Sequence, residues 1–382
     1  MRCRSRFVAL ALLLHGSLAP AEPKPAPAEP AAPSEQEPLH ERSRVLPAAA
    51  AVVPGILVHG SGHWALAEPA TARRLLLMEG IGLGMFLAGG VTIVLTGASR
   101  YFVAPAAATT MAGFGLFSTS YLADIYGSVS KDGGAAPSRY LPPARWETEL
   151  GYRRVSDPQF AYRDFMVERV SRQIGPLRLS PSGMFDVRGD TARYRFETQY
   201  RLSGVSDEPA PSDLSYVDLT LGFVHQRHRP EHFTKSSVEL SVDGHYDLAR
   251  LGRTLRGSFI ELGAGYALGR LDYDLRGLAV PHDVEHLLLG RIGFGVTLRG
   301  LSAPGSEALL YYDHRHDDYV AGLKLRGIGS GAVGHFGLSA RWFFSESVGL
   351  AGDVQAGAAY LGGASLLFRP AASVRPRAET PR

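Results

Sequence analysis

The chain carries one cysteine, Cys3, in 382 residues, and it lies ahead of the first apolar run. A disulfide framework, a CxxC metal site and thiol catalysis are thereby excluded from everything downstream. Charge of one sign is also missing: 40 Lys and Arg stand against 37 Asp and Glu, a formal net charge of +3. That balance excludes a chain whose main business is coating nucleic acid. Lysine and glutamate blocks of the kind that build soluble helical proteins are scarce, and there is no phosphate-cradling loop and no nucleophile elbow. A mean hydropathy of −0.03 is too polar for a polytopic helical membrane protein. It leaves open a membrane β-barrel, whose strands place apolar residues at only one position in two. Glycine is the surplus, with 44 residues, and 45% hydrophobic content is ample for a core.

The first residues, MRCRSRFVALALLLHGSLAPAEP, have the layout of a secretory signal: Arg2, Arg4 and Arg6, an apolar run from Phe7 to Leu14, then small residues at Ala19 and Ala21. Residues 1–21 are therefore expected to be removed on export, and Cys3 with them. Residues 22–47 are a Pro/Ala-rich linker with little to bury.

Residues 48–127 are rich in Ala, Gly and Leu. Within them Leu75 to Thr96 carries a single charge, Glu79, over about the twenty residues that a membrane helix needs. Glycines 80, 82, 84, 89 and 90 weaken the helix but allow a second one to approach closely. Phe102 to Tyr126 is the natural partner, so a helical hairpin, membrane-associated or buried in a small soluble domain, is expected here. Residues 128–144 read as a second linker. His59 and His63 lie four apart, as helical metal ligands do, but Gly60-Ser61-Gly62 between them favours a turn.

From about residue 145 the period changes to two. Trp146, Thr148, Leu150 and Tyr152 alternate with Glu147, Glu149 and Arg153; Tyr194, Phe196, Thr198 and Tyr200 alternate with Arg193, Arg195, Glu197 and Arg201. The pattern recurs at 217–223, 238–242, 260–268, 288–298, 308–312, 319–325, 336–344, 348–360 and 364–368, with a weaker run at Met184 to Arg188. The total is about twelve strands, within a range of eight to fourteen. Runs such as Thr191 to Ser203 are far longer than the strands of soluble sandwiches. Long connections are expected at 154–181, 204–213 and 271–283, and short ones at 188–191, 344–348 and 360–363. The polar parity (Arg193, Arg195, Glu197, Arg201, Asp218, Glu239, Asp243, Glu261, Arg291, Lys324, Arg341, Asp353, Gln355) suits a lumen, and the apolar parity suits lipid. Aromatic residues near the run ends, among them Trp146, Tyr152, Tyr200, Tyr216, Tyr246, Tyr266, Tyr312, Tyr319, Trp342 and Tyr360, suit the interfacial girdles.

A leader followed by such alternating segments resembles the outer-membrane β-barrel proteins of Gram-negative bacteria, over about residues 145–369. The resemblance implies an antiparallel transmembrane β-barrel in the outer membrane, with the inner membrane, through residues 75–126, as the rival location. It implies contact with membrane lipid and lipopolysaccharide and insertion by the barrel-assembly machinery; the charge balance speaks against nucleic acid, and no cofactor is expected. Family members end on an aromatic residue; here Phe368 closes the last run, but a polar tail, residues 370–382, follows. A small pore or structural envelope protein without catalysis is the leading expectation. A binding module, in which residues 48–127 grip another envelope component, is one alternative.

A lipid-modifying hydrolase is the other. Tyr311 to Tyr319 holds Asp313, His314 and His316 in one dense polar cluster, in which a carboxylate could orient a general base. The patch is similar to the His-x-Ser-Asn signature of outer-membrane lipid hydrolases and deacylases, with His314 at the histidine, but His316 stands where the serine nucleophile would be. A solvated hairpin rim is the plainer reading. His225, His228 and His232 form a second cluster that could meet a transition metal or, with Arg227 and Arg229, lipopolysaccharide phosphates. His282 and His286 have the same character.

Overall fold

The computed structural model describes residues 45–97, 101–129, 145–158, 164–204, 214–229, 232–255, 257–273, 282–297, 306–323 and 333–370. The leader, nearly all of the Pro/Ala linker, residues 130–144 of the linker before the barrel, Lys324 and all but the first residue of the polar tail lie outside them.

Twelve strands form one closed antiparallel barrel: β1 Trp146–Ser156, β2 Asp164–Ile174, β3 Leu177–Asp186, β4 Thr191–Ser203, β5 Tyr216–His228, β6 Phe233–Asp247, β7 Ser258–Tyr273, β8 Asp283–Thr297, β9 Glu307–Asp313, β10 His335–Phe343, β11 Val348–Ala356 and β12 Tyr360–Phe368. Each strand pairs with its sequence neighbours, and β1 closes on β12 from Thr148 opposite Phe368 to Ser156 opposite Tyr360. Closure satisfies every edge, which is the condition for backbone to lie in hydrocarbon. One parity faces out and is apolar: Leu221, Leu240, Leu262 and Leu288 are 52%, 52%, 54% and 68% exposed. A contiguous apolar belt of this kind is fitted to lipid, because water would penalise every one of those side chains. Trp146, Tyr200, Tyr246 and Tyr360 lie on that outer wall, whereas Tyr216 stacks on inward His245 and Tyr319 is buried within the lumen, so neither belongs to a girdle.

The strand count agrees with expectation although two assignments exchange places. Residues 154–181, expected as a long loop, contain β2 and the start of β3, joined at Gly175-Pro176. Of residues 319–325, expected as a strand, the described part, 319–323, is not one of the twelve and turns into the lumen instead. Tyr360 to Gly363, expected as a turn, begins β12, and the turn is 357–359.

Ahead of the barrel come α1 Val45–Val52, a 3-10 turn at Pro54–Ile56, α2 Ser61–Ala65, α3 Pro69–Leu95 and α4 Val103–Val129. Both long helices have 27 residues, about 40 Å, enough to cross a bilayer. They form a hairpin whose crossing depends on glycine. A Cβ at Gly82 would stand 2.6 Å from the Phe117 nitrogen, and one at Gly113 would stand 2.2 Å from the Phe86 nitrogen. The backbones touch there, as small residues permit. The far side of α4 lies on the outer wall of the barrel, where Phe114 meets Phe294 at 6.3 Å and Phe336 at 6.0 Å, both edge-on. Gly115 leaves room for the Phe294 ring, and Gly257, in the connection from β6 to β7, leaves room for Tyr126. The expected hairpin therefore clads the barrel from outside, and its outermost helix, α3, still exposes Leu77, Leu87, Val91 and Leu95.

Candidate functional site in the lumen

Strand register fixes the inward rows. Gly151, Val167, Met184, Arg193, Gln226 and Lys235 form one; Glu149, Arg169, Ser182, Arg195 and Val224 form the next toward the chain termini. Two residues along a strand advance about 7 Å. On β1 to β4 the inward cations are Arg153, Arg169, Arg178, Arg193, Arg195 and Arg201; on β5 to β9 the inward anions include Asp218, Glu239, Asp243, Glu261 and Asp313. One wall is thus rich in arginine and the facing wall in carboxylate. Glu147, Glu149 and Glu197 temper the first, and Arg291 tempers the second.

The ten residues expected to face the lumen, Arg193, Arg195, Glu197, Arg201, Glu239, Asp243, Glu261, Arg291, Arg341 and Asp353, all line its two cavities. Five of the ten, Arg195, Glu197, Glu239, Glu261 and Arg291, are engaged with one another, and others bond further residues of the wall. Arg201 reaches both oxygens of Asp218 and lies over the Tyr216 ring at 3.9 Å. Arg195 pairs with Glu197 at 2.9 Å and Glu239 at 3.0 Å. Arg291 approaches Glu261 at 3.8 Å and covers Tyr311 at 4.5 Å, and Tyr311 donates to Asp353 at 3.2 Å. Arg341 pairs with Glu147.

The feature that sequence reasoning missed is an inward fold of the chain after β9. At the end opposite the chain termini the chain leaves the wall within residues 314–323, after the His314 N–H has bonded the Gly290 carbonyl, and crosses the lumen. Arg315 donates to Glu239 at 2.6 and 2.9 Å and to Asp317 at 3.3 Å. Lys235 reaches Asp317 at 3.3 Å and also pairs with Glu285, and Gln226 donates to the Asp317 carbonyl at 3.4 Å. Asp318 accepts the Val320 and Ala321 N–H groups at 3.2 and 3.0 Å, turning the chain. Beyond that turn Tyr319 and Val320 enter an apolar cluster with Val155, Phe165, Val167, Met184, Ala359 and Leu361. A polar anchor on β6 and an apolar seat on β1, β2, β3 and β12 thus hold the segment across the mouth. Among the described residues the lumen holds polar cavities of about 330 and 510 Å³, whose linings share Arg195, Glu197, Gln199, Arg291, Asp313 and Arg315.

The histidine clusters do not converge. Asp313 faces the lumen and accepts the Arg315 N–H, while His314 bonds Tyr312 Oη at 2.9 Å on the outer side. The His316 ring stands 4.8 Å from the His314 ring, and neither of its nitrogens has a hydrogen-bond partner among the described residues. No hydrogen bond among the described residues links Asp313 to either imidazole. His225 bonds Ser236 on the outer parity, His228 stacks on Phe233 on the inner parity, and His232 occupies the turn with φ of 55°. Among the described residues no three metal-ligating groups come together.

A second polar cluster, which the sequence offered only as His59 and His63, is buried at the base of the helical hairpin. Asp124, wholly buried on α4, accepts the backbone N–H groups of Gly60 (2.9 Å), Gly62 (3.2 Å) and His63 (3.2 Å) and the His63 Nδ1 proton (2.7 Å). It serves α2 as an N-cap supplied from another helix, which is why a helix forms over Ser61–Ala65 despite Gly62. Gly60 adopts φ of 92° and lies against the Ala72 backbone, a position with no room for a side chain. His59 donates its backbone N–H to Glu79 at 2.9 Å and holds Ser120 Oγ at 2.6 Å through Nδ1. Burial pushes the His59 imidazole below its ordinary range, outweighing the pull of Glu79 and Asp124.

No family model and no curated protein matches the chain. Solved structures do. The Acinetobacter baumannii outer membrane protein Omp33 is 11% identical, with 59% of this chain and 98% of that one covered at a TM-score of 0.30. The translocator domain of the autotransporter NalP from Neisseria meningitidis is 13% identical over 61% and 91%, TM-score 0.34. The KdgM porin, solved in complex with disordered oligogalacturonate, is 6% identical over 59% and 99%, TM-score 0.37. The chain is similar to outer-membrane β-barrels.

Proposed function

We propose that the protein is a passive channel of the Gram-negative outer membrane, with a lumen narrowed by the inward-folded residues 314–323. The observation that carries this reading is the pair of charged cavities, 330 and 510 Å³, with six lining residues in common, inside a closed barrel with an apolar outer belt. Charged walls of that kind need water or counter-charges, and a water-filled path supplies both. The barrel holds the protein in lipid, and lipopolysaccharide and the barrel-assembly machinery are its implied partners. The hairpin within 48–127 finds its first partner in the barrel wall itself, at Phe294 and Phe336. A lipid hydrolase built on Asp313, His314 and His316 has less support, since the wall separates Asp313 from His314 and no serine accompanies them.

Two measurements test the reading. Purified protein in planar bilayers is expected to conduct, and outer-membrane fractions are expected to hold it in a form whose gel migration shifts on boiling. Silent bilayers would overturn the channel, and recovery in the inner membrane alone would overturn the location.

The end that carries 314–334, the longest connection, is assigned to the exterior. With Cys3→Ser as background, Tyr101→Cys at the hairpin tip is expected to react with an impermeant maleimide on intact cells, and Leu57→Cys at its base is not. The reverse pattern would invert the assignment.

A further inference from the structure

The inward arginines differ in one respect. Arg195, Arg201, Arg291, Arg315 and Arg341 each have a carboxylate in ion-pair range. Among the described residues Arg153, Arg169 and Arg193 have none, and make no hydrogen bond to protein. All three line the 510 Å³ cavity.

Their placement is ordered. Arg153 shares its row with Phe165, Arg193 lies in the next row with Val167, and Arg169 in the one after, opposite Glu149. Along the strand direction the three rows are about 7 Å apart and span roughly 14 Å. Across the sheet, Arg153 on β1, Arg193 on β4 and Arg169 on β2 are set apart by three and then two strand spacings of about 4.8 Å. Their neighbours in the cavity include Ser182, Ser339 and Ser365, neutral hydroxyls that can complete a hydrogen-bond set. Each free guanidinium offers a planar fork of N–H donors matched to carboxylate or phosphate. The same cavity is lined by Glu147, Glu149, Glu197, Asp313, Asp318 and Asp353, yet none of these carboxylates stands in ion-pair range of the three, so their N–H forks are left open to a ligand.

We infer that the Arg153, Arg193 and Arg169 ladder is a binding site for an extended, multiply charged organic anion, carrying carboxylates or phosphates in series. This rests on the channel reading and gives it a solute class. A single small anion can engage one step; a chain of charges can engage all three, so affinity should rise with the number of charges.

The test uses the full chain in detergent and in planar bilayers, with inorganic triphosphate and a short poly-glutamate as probes and chloride as the monovalent reference. Calorimetry is expected to show both probes binding. In bilayers both should block current, while chloride only carries it. The Arg153→Gln/Arg169→Gln/Arg193→Gln variant should weaken probe binding by roughly tenfold per arginine, and Arg270→Gln, on the outer wall, should not. Heat-shifted migration of each variant confirms that the barrel has formed; if the triple variant fails to form it, the three single variants carry the test. Binding in detergent with silent bilayers would overturn the channel and leave the site standing. Conduction with probe affinities unchanged by the substitutions would overturn the site and leave the channel. Triphosphate binding without poly-glutamate binding would restrict the class to phosphates, and the reverse to carboxylates, each overturning the other half.

Discussion

Arg315 and Glu239, 76 residues apart in the chain, form a two-pronged ion pair at 2.6 and 2.9 Å that fastens residues 314–323 across the barrel mouth. Arg195 shares the same carboxylate at 3.0 Å. Glu239 thus joins the inward segment to the arginine-bearing wall, and the state of the mouth turns on it.

Glu239→Gln should free the segment. Removing one partner of a buried pair leaves the other charge uncompensated, at a cost of roughly 3 kcal/mol or more. Expected are a larger single-channel conductance and faster proteolysis within 314–323, with heat-shifted migration retained. Unaltered conductance and proteolysis would show that the segment is held elsewhere.

Tyr319→Ala should loosen the opposite attachment. Tyr319 packs on Phe165 at 4.8 Å in the apolar cluster, and truncating a buried aromatic costs about 3 kcal/mol. Noisier, flickering current is the expected readout. A steady current identical to that of the unmodified chain would count against the seat.

Gly113→Leu should separate α3 from α4, because its Cβ would meet the Phe86 nitrogen at 2.2 Å and the Gly82 carbonyl at 2.6 Å. Gly80→Leu faces open space and should be tolerated. Overpacking costs about 1–3 kcal/mol, read as earlier thermal loss of helical circular dichroism in the first variant only. Equal loss in both would mean that the crossing does not depend on close approach.

Asp124→Ala should undo the base of the hairpin. Three backbone N–H groups and His63 lose their acceptor, each buried orphan costing about 1–3 kcal/mol. Selective protease cleavage near residues 59–63 is the expected signature.

Acid should weaken the same region through His59. Its folded-state value lies below the ordinary 6.5, so the unfolded state takes up the proton first. Stability of the helical segment is then level above about pH 6.5 and falls as pH drops below it. Thermal melts of the helical signal between pH 8 and 5 should show this slope, and His59→Gln should flatten it.

Period-two alternation by itself determined the barrel, the outward apolar belt and the inward charges, because a strand between lipid and water must alternate. The hairpin was legible from two long apolar stretches set among glycines. Where alternation failed, the tertiary structure had altered what each face meets. In β2 Phe165 and Val167 point inward, to seat Tyr319 and Val320, while Glu168 and Arg172 lie on the outer parity; both faces are mixed and the period vanishes. Conversely Tyr319, Ala321 and Leu323 alternate like a strand but belong to the segment that fills the mouth. Only the closed structure decided that this segment turns inward, that α4 leans on Phe294 and Phe336, and that three arginines are left without carboxylates. Each depends on residues brought together across the lumen or along its outer wall, and spacing along the chain does not encode that distance.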